Sequence, residues 1–394
     1  MAQANGPEVP AAANGTLGLA LTGGGARGAY QIGVLNWIAR RYPRLEIPVL
    51  TGVSAGAVNI AFLAANPGDL RAGVRGLAEL WRTLTPEKVF RVDARTIGWT
   101  VLRWGFRLMS GGAARTPDVR GFLDTEPLRR LLHRVLENRR GEIVGIAANL
   151  ARARLRAVAL TATSYTTGQT VVFVQGSEIE PWQRPQRRAH QTTLTIEHIM
   201  ASAALPLFFP AVNVDDEWYG DGGMRLSAPL SPALHLGASR ILAISTRYER
   251  TRPEAANRQH EGYPPPAQVL GSLLNAVFLD LIDQDAVRLG MMNSLLDQLP
   301  EQDRHGLRHV DLLVMRPSRD LGRLAAEFEP RLPGAFRFMT RGLGTRETRS
   351  PDMLSLLMFQ PDYIDELIRC GERDAEARAE EIDRFLGADV GIPG

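Results

Sequence analysis

The pentapeptide Gly52-Val53-Ser54-Ala55-Gly56 constrains this chain more than any other stretch, because of what flanks it. The apolar run Ile47-Pro48-Val49-Leu50 precedes it, and Ala57-Val58-Asn59-Ile60-Ala61-Phe62-Leu63-Ala64-Ala65 follows, stopped by Asn66-Pro67. A short apolar run and then a small-residue, helix-forming run predict a buried strand, a sharp turn and a helix, with Ser54 at the turn. Glycines on both sides of a serine permit a strained backbone and remove side chains that would crowd its hydroxyl. A helix beginning at that serine also aims free N–H groups and a positive dipole end at the place where an oxyanion would form. Alone, G-x-S-x-G is common in chains rich in Gly and Ala, and an ordinary turn is its plain alternative.

A second strand-turn-helix unit stands just upstream. Leu17 to Leu21 is a short apolar strand running into Thr22-Gly23-Gly24-Gly25-Ala26-Arg27-Gly28, and a helix is expected from Ala29 to about Arg41, with Ile32, Leu35 and Ile38 on one stripe and Pro43 beyond its end. A strand-helix-strand-helix run implies a parallel pair joined by a right-handed crossover, with ligands bound beyond the carboxyl ends of the strands. The glycine run and Ser54 both fall there. Gly23, Gly25 and Gly28 match the G-x-G-x-x-G fingerprint of a dinucleotide-binding oxidoreductase, but that reading needs an acidic residue at the end of the second strand. Glu46 stands at its beginning instead. The other reading makes the consecutive N–H groups of Gly24 and Gly25 an oxyanion hole, and it uses both motifs at once.

Downstream, strands are expected at Leu155 to Thr163 and Thr170 to Val174 with a turn at Gly168, helices at Leu128 to Leu136 and Ile196 to Ala204, and an exposed basic loop at Gln183 to Gln191. A hairpin through Val212 to Tyr219 delivers Asp221-Gly222-Gly223, which taken alone is a turn. Pro229 to Gly237 reads as a short helix, Ile241 to Ser245 as a buried strand, Gly271 to Leu299 as a long amphipathic helix, His309 to Met315 as a last strand and Met353 to Leu386 as helical. Residues 1–15 are expected to be a flexible tail, 16–247 a catalytic domain and 248–394 a mostly helical C-terminal extension. The segment 81–132, and the aromatic, arginine-containing stretch 96–110 within it, suits either a lid or a surface helix.

Composition excludes several classes. A formal charge of +3 without zinc-finger or RNA-binding signatures argues against nucleic-acid partners. Lys88 is the only lysine, so the basic surface is arginine, which favours peripheral contact with anionic lipid headgroups. Cys370 is the single cysteine and leaves no intramolecular disulfide or Cys-cluster metal site. Neither an EF-hand loop nor a His/carboxylate zinc motif is present, and no cofactor is expected. The N-terminus lacks the basic start and apolar core of a signal peptide, and no run has the length of a membrane span, so a cytoplasmic or peripheral membrane location is expected.

Gly23-Gly24-Gly25-Ala26-Arg27-Gly28, Gly52-Val53-Ser54-Ala55-Gly56, Ala201-Ser202-Ala203-Ala204-Leu205-Pro206 and Asp221-Gly222-Gly223 together resemble the patatin-like phospholipase family of bacterial type, over roughly residues 15 to 247. The resemblance implies a three-layer α/β/α sandwich with a mainly parallel central sheet and a serine lipid acyl hydrolase working through a Ser/Asp dyad. By motif match Ser54 is the nucleophile, Asp221 the base, and the Gly24 and Gly25 amides the oxyanion hole. Arg27 matches the family's basic position in the loop, fixing the loop or meeting a phosphate. Thr22 stands where many members carry Asp, which leaves the amide donors intact.

The expected substrate is a lipid ester, cleaved through an acyl-serine. A free Asp, at a pKa near 3.9, is too acidic to be a good base, and burial beside an apolar pocket would raise it. A histidine triad is the enzymatic rival, since His235, His260, His305 and His309 follow Asp221, but each reads as a surface or packing residue. An acyltransferase using the same acyl-serine is the further alternative, although malonyl-transferase-like enzymes place His where this chain has Val53.

Overall fold

The structure is a computed structural model describing residues 15–91, 121, 123–177, 179–256, 263–264, 268–269, 271–273, 281–332, 334, 337 and 352–387. Among the described residues one sheet of ten strands forms: β1 (Leu17–Leu21), β2 (Val49–Val53), β3 (Ala157–Ser164), β4 (Thr170–Gly176), β5 (Gln183–Arg184), β6 (Arg187–Gln191), β7 (Val212–Val214), β8 (Glu217–Asp221), β9 (Arg240–Ile244) and β10 (Asp311–Met315). The order across it is β10-β9-β1-β2-β3-β4-β6-β5, with β8 pairing both β3 and β7. From β10 to β3 every neighbouring pair is parallel.

Those parallel strands read as unbroken apolar runs because both their faces are covered. Alternate residues divide between two cores. Leu19, Leu21, Leu50, Leu160, Leu242 and Ile244 face one side, under helices α1 (Gly28–Arg41), α2 (Ala55–Ala65) and α3 (Leu70–Arg82). Ala20, Val49, Ala159, Ile241 and Ala243 face the other, under α6 (Ser231–His235) and α7 (Leu281–Leu296). The first layer also holds α4 (Glu126–Val135), α5 (Ile196–Ser202), α8 (Asp352–Leu357) and α9 (Pro361–Ala377). This is the three-layer sandwich expected. Two glycines let α9 cross α1 at backbone contact: a methyl at Gly33 would meet the Ile368 carbonyl, and one at Gly371 the Tyr30 carbonyl.

Register brings the distant motifs together. β2 runs alongside β3 until Val53 stands opposite Thr161. One residue further along the same edge β8 takes over in the opposite direction, with Asp221 opposite Ala162, Gly220 opposite Thr163 and Tyr219 opposite Ser164. β8 therefore points at the end of β2, and its last residue arrives beside Ser54.

Some expectations change. Gln183 to Gln191 is not a loop: β6 joins the sheet parallel to β4, pairing Thr170 with Arg187 through Val174 with Gln191, and β5 folds back on it. Its half-exposed arginines hid a strand whose partner lies elsewhere in the chain. Within the helix expected over 271–299, residues 271–273 and Leu281–Leu296 are helical, and the helix ends at Leu296. The last strand starts at Asp311, two residues later than expected. The 96–110 segment lies outside the described residues.

Candidate active site

Ser54 has φ 56° and ψ −125°, a conformation that non-glycine residues rarely adopt, and it caps the N-terminus of α2. Such an outlier costs roughly 1–3 kcal/mol and persists only where the surroundings over-determine it. Here they do. The Ser54 N–H donates to Ser202 Oγ at 3.0 Å, and the Ser202 hydroxyl donates to the Thr161 carbonyl at 2.6 Å, so the last residue of α5 bolts the turn to β3. Gly52 leads into the turn from β2, Ala55 and Gly56 open α2, and Gly222 and Gly223 form the turn after Asp221.

Asp221 is held by its whole backbone. Its N–H donates to the Ala204 carbonyl at 2.9 Å and its own carbonyl accepts from Thr163 Oγ1 at 2.9 Å. Oδ1 accepts the Gly223 N–H at 2.8 Å, while the fully buried Oδ2 has no hydrogen bond of regular geometry. Burial pushes the Asp221 pKa up to about 7, against the Ser54 hydroxyl and the Gly223 N–H, which both favour the carboxylate. The Ser54 hydroxyl and the Asp221 carboxyl thus lie close enough to interact, with the hydroxyl favouring the carboxylate.

The glycine loop arrives from β1. Gly24 and Gly25 have φ of 147° and 53°, and their N–H groups find no acceptor among the described residues. Thr246, just past β9, fixes the strand end: its hydroxyl donates to the Gly23 carbonyl at 2.6 Å and its N–H to Thr22 Oγ1 at 3.2 Å. Gln31 Nε2 donates to the Thr22 carbonyl at 2.8 Å, Asn59 Nδ2 donates to Gln31 Oε1 at 3.0 Å, and Trp81 Nε1 donates to Asn59 Oδ1 at 2.8 Å. Gln31 and Asn59 are fully buried and matched on both ends, which makes this chain a stiff support under the loop. Arg27 and Gly28 complete the turn into α1, and the Arg27 side chain points inward to Asp352 and Ser355.

Ser54, Gly24 and Gly25 open on a narrow apolar cavity of about 70 Å³. Its walls include Val58, Leu80, Leu84, Leu131, Leu132, Leu205, Leu356 and Leu357. Trp81, Phe209 and Phe359 line it as well. Trp81 stacks on Phe359 at 6.2 Å between centroids, and Phe90 meets Phe359 edge-on at 6.1 Å. Among the described residues no histidine lines it. His235 stacks on Trp182 at 4.5 Å, His309 pairs with Asp297 at 2.9 Å, and His260 lies outside the described residues. Among the described residues no three His, Cys, Asp or Glu side chains converge to hold a metal, and no helix is long and apolar enough to cross a membrane.

The fold brings together Ser54, Asp221 and the glycine loop, which the sequence singles out. Ser202 lies within one of the sequence motifs without an assigned role there, and nothing in the sequence assigns a supporting role to Thr246, Gln31, Asn59, Asp352 or Ser355. A polar residue inside an apolar stripe, as Gln31 and Asn59 are, was the one available signal.

Ser54 thus stands at a strained strand-to-helix turn on an α/β/α sandwich, with a buried carboxylate facing it and an apolar cavity beside it. The patatin-like phospholipase model matches residues 19–234, more than half of the sequence, and the chain belongs to that family. Among solved structures it is similar to human GIVD cytosolic phospholipase A2 in complex with methyl gamma-linolenyl fluorophosphonate, at 13% identity and TM-score 0.44, over 95% of this chain and 59% of that one. It is also similar to VipD from Legionella pneumophila, at 14% identity and TM-score 0.31 over 95% of this chain and 76% of that one. The type III effector ExoU aligns at 14% identity and TM-score 0.35, over 94% and 53% of the two chains. The chain thus spans about 59% of the human enzyme's length. No curated protein sequence matches it.

Proposed function

We propose that the chain cleaves fatty acyl esters of lipids with Ser54 as nucleophile and Asp221 as general base. The observation that carries this is the fully buried Asp221 oxygen without a regular partner, facing a serine held in a strained turn. At neutral pH a carboxyl with a pKa raised to about 7 is divided between its two forms, so it can both take and return a proton. Asp221 removes the Ser54 hydroxyl proton as Oγ attacks the ester carbonyl. The tetrahedral oxyanion is met by the N–H groups of Gly24 and Gly25, one such donor being worth about 3 kcal/mol in other serine hydrolases. Collapse breaks the ester C–O bond, Asp221-H gives its proton to the departing alcohol, and the acyl-serine remains. Water deprotonated by Asp221 then attacks that ester, releasing the fatty acid and returning the proton to Ser54.

The supporting surface is apolar where the acyl chain would lie. Fatty acid release from a panel of phospholipids, lysophospholipids, triglycerides and p-nitrophenyl esters tests the reading. Wild type should be active with a rate climbing through about pH 7 as Asp221 ionises, and Ser54→Ala and Asp221→Asn should lose nearly all of it while folded. Folded Ser54→Ala that still releases fatty acid, or still takes a fluorophosphonate label, would sink it.

A further inference from the structure

Resting on the Ser54/Asp221 reading, we propose that Asp352 and Ser355 of α8 are positioning residues for the oxyanion loop. They act through Arg27, which is thereby committed to an internal clamp rather than to a substrate phosphate. Arg27 closes the short turn Gly25–Arg27 that carries the loop amides into α1. Its side chain is 4% exposed and that of Asp352 13%. Arg27 Nη2 donates to Asp352 Oδ1 at 2.6 Å and more weakly to the Asp352 carbonyl at 3.3 Å. Arg27 Nε donates to Ser355 Oγ at 2.6 Å, and the Ser355 hydroxyl passes its own proton to the Asp352 carbonyl at 2.6 Å. The ring is closed, and the buried charge is matched by a carboxylate. A guanidinium serving a phosphate must face the solvent side of the cavity. This one would have to leave a buried partner, and uncovering a buried charge is expensive.

The same helix touches the loop a second time. The Leu356 carbonyl packs where a Cβ of Gly25 would stand, so the backbone of α8 lies directly on the residue whose N–H is assigned to the oxyanion. Leu356 and Leu357 then continue into the cavity wall. α8 is succeeded by α9, whose glycine-mediated crossing of α1 anchors it against the layer that begins at this loop. A segment more than 300 residues downstream in sequence therefore sets where two amides point, through one arginine and one backbone contact. Donors aimed at a developing oxyanion act through orientation, and a misplacement of about 1 Å can cost about 100-fold in rate.

The test compares Asp352→Asn and Ser355→Ala with wild type on a phosphate-free ester, p-nitrophenyl butyrate, and on a lysophosphatidylcholine. Ser54→Ala is the blank. Asp365→Asn is the control, since it breaks an exposed pair with Arg82 at 2.8 Å that also ties α9 to α3. The clamp predicts that kcat falls about 10- to 100-fold on both substrates, with KM held within about twofold, and that Asp365→Asn keeps the wild-type kcat. Ser355→Ala removes a single hydroxyl, so it carries the comparison if Asp352→Asn does not fold. A loss confined to the phospholipid and seen in KM would make Arg27 a phosphate ligand and overturn the clamp, as would wild-type kcat in both folded variants. If Ser54→Ala still turns over, the site assignment falls and the inference with it. A silent Ser54→Ala beside unaffected clamp variants brings down the clamp alone.

Discussion

Replacing Asp221 by Asn should abolish activity and at the same time stabilise the fold, more so as the pH rises. Burial lifts this carboxyl from 3.8 to about 7 in the folded chain. Below pH 3.8 both folded and unfolded forms hold the proton and the group is neutral in the balance. Between the two values the unfolded chain gives up its proton while the folded one keeps it, so stability falls as pH rises. Above the folded value the loss is complete, at about 3 pKa units times about 1.36 kcal/mol, or roughly 4 kcal/mol. Asn has nearly the same shape, does not titrate, and its Oδ1 still accepts the Gly223 N–H. Its advantage over Asp should therefore grow by roughly 3 kcal/mol between about pH 5 and about pH 8.5. At about 2.1 cal/mol/K of unfolding entropy per residue, this chain should gain about 3–4 °C in Tm relative to wild type over that interval. Thermal unfolding of both proteins at the two pH values reads it directly, with Ser54→Ala as a variant that leaves the carboxyl in place. Melting temperatures of Asp221→Asn and wild type that move in parallel would refute the reasoning, and a variant less stable than wild type at high pH would refute it more strongly.

Ser54→Gly should melt above Ser54→Ala although neither is active. Gly accepts φ 56° and relieves roughly 1–3 kcal/mol of strain, against about 0.5–1 kcal/mol of added chain entropy. Equal or reversed melting temperatures would mean that the turn is not strained. Phe359→Ala removes the ring stacked on Trp81, costing roughly 3–5 kcal/mol of stability. It should also raise kcat/KM for longer p-nitrophenyl esters relative to short ones, by about fourfold for each methylene that gains room. An unchanged chain-length profile would place the acyl chain elsewhere.

The two strand-turn-helix units were legible because their signals are local: an apolar run, glycines, a small-residue helix and a stop at Asn66-Pro67 lie within a few residues of each other. The division of Leu19, Leu21 and Leu50 from Ala20 and Val49 came only with the fold, because an apolar run covered on both faces carries no polar alternation. Gln183 to Gln191 failed by the same standard. Its arginines and proline carry no apolar period, and what makes it a strand is the row of backbone groups that β4 presents to it.

By itself, then, the sequence determined which chemical groups the chain owns and the short elements that expose them: a serine at a glycine-flanked turn, a run of loop amides, and an Asp before two glycines. Tertiary structure decided that they meet. Asp221 reaches Ser54 because β8 continues along β3 where β2 leaves off, and no window of sequence contains that register. Its pKa of about 7 comes from complete burial by residues far away in the chain. The partners of Arg27 lie 325 and 328 residues downstream. Local propensity acts over a few residues, whereas hydrogen-bond register, burial and charge pairing depend on which distant segments the folded chain brings into contact.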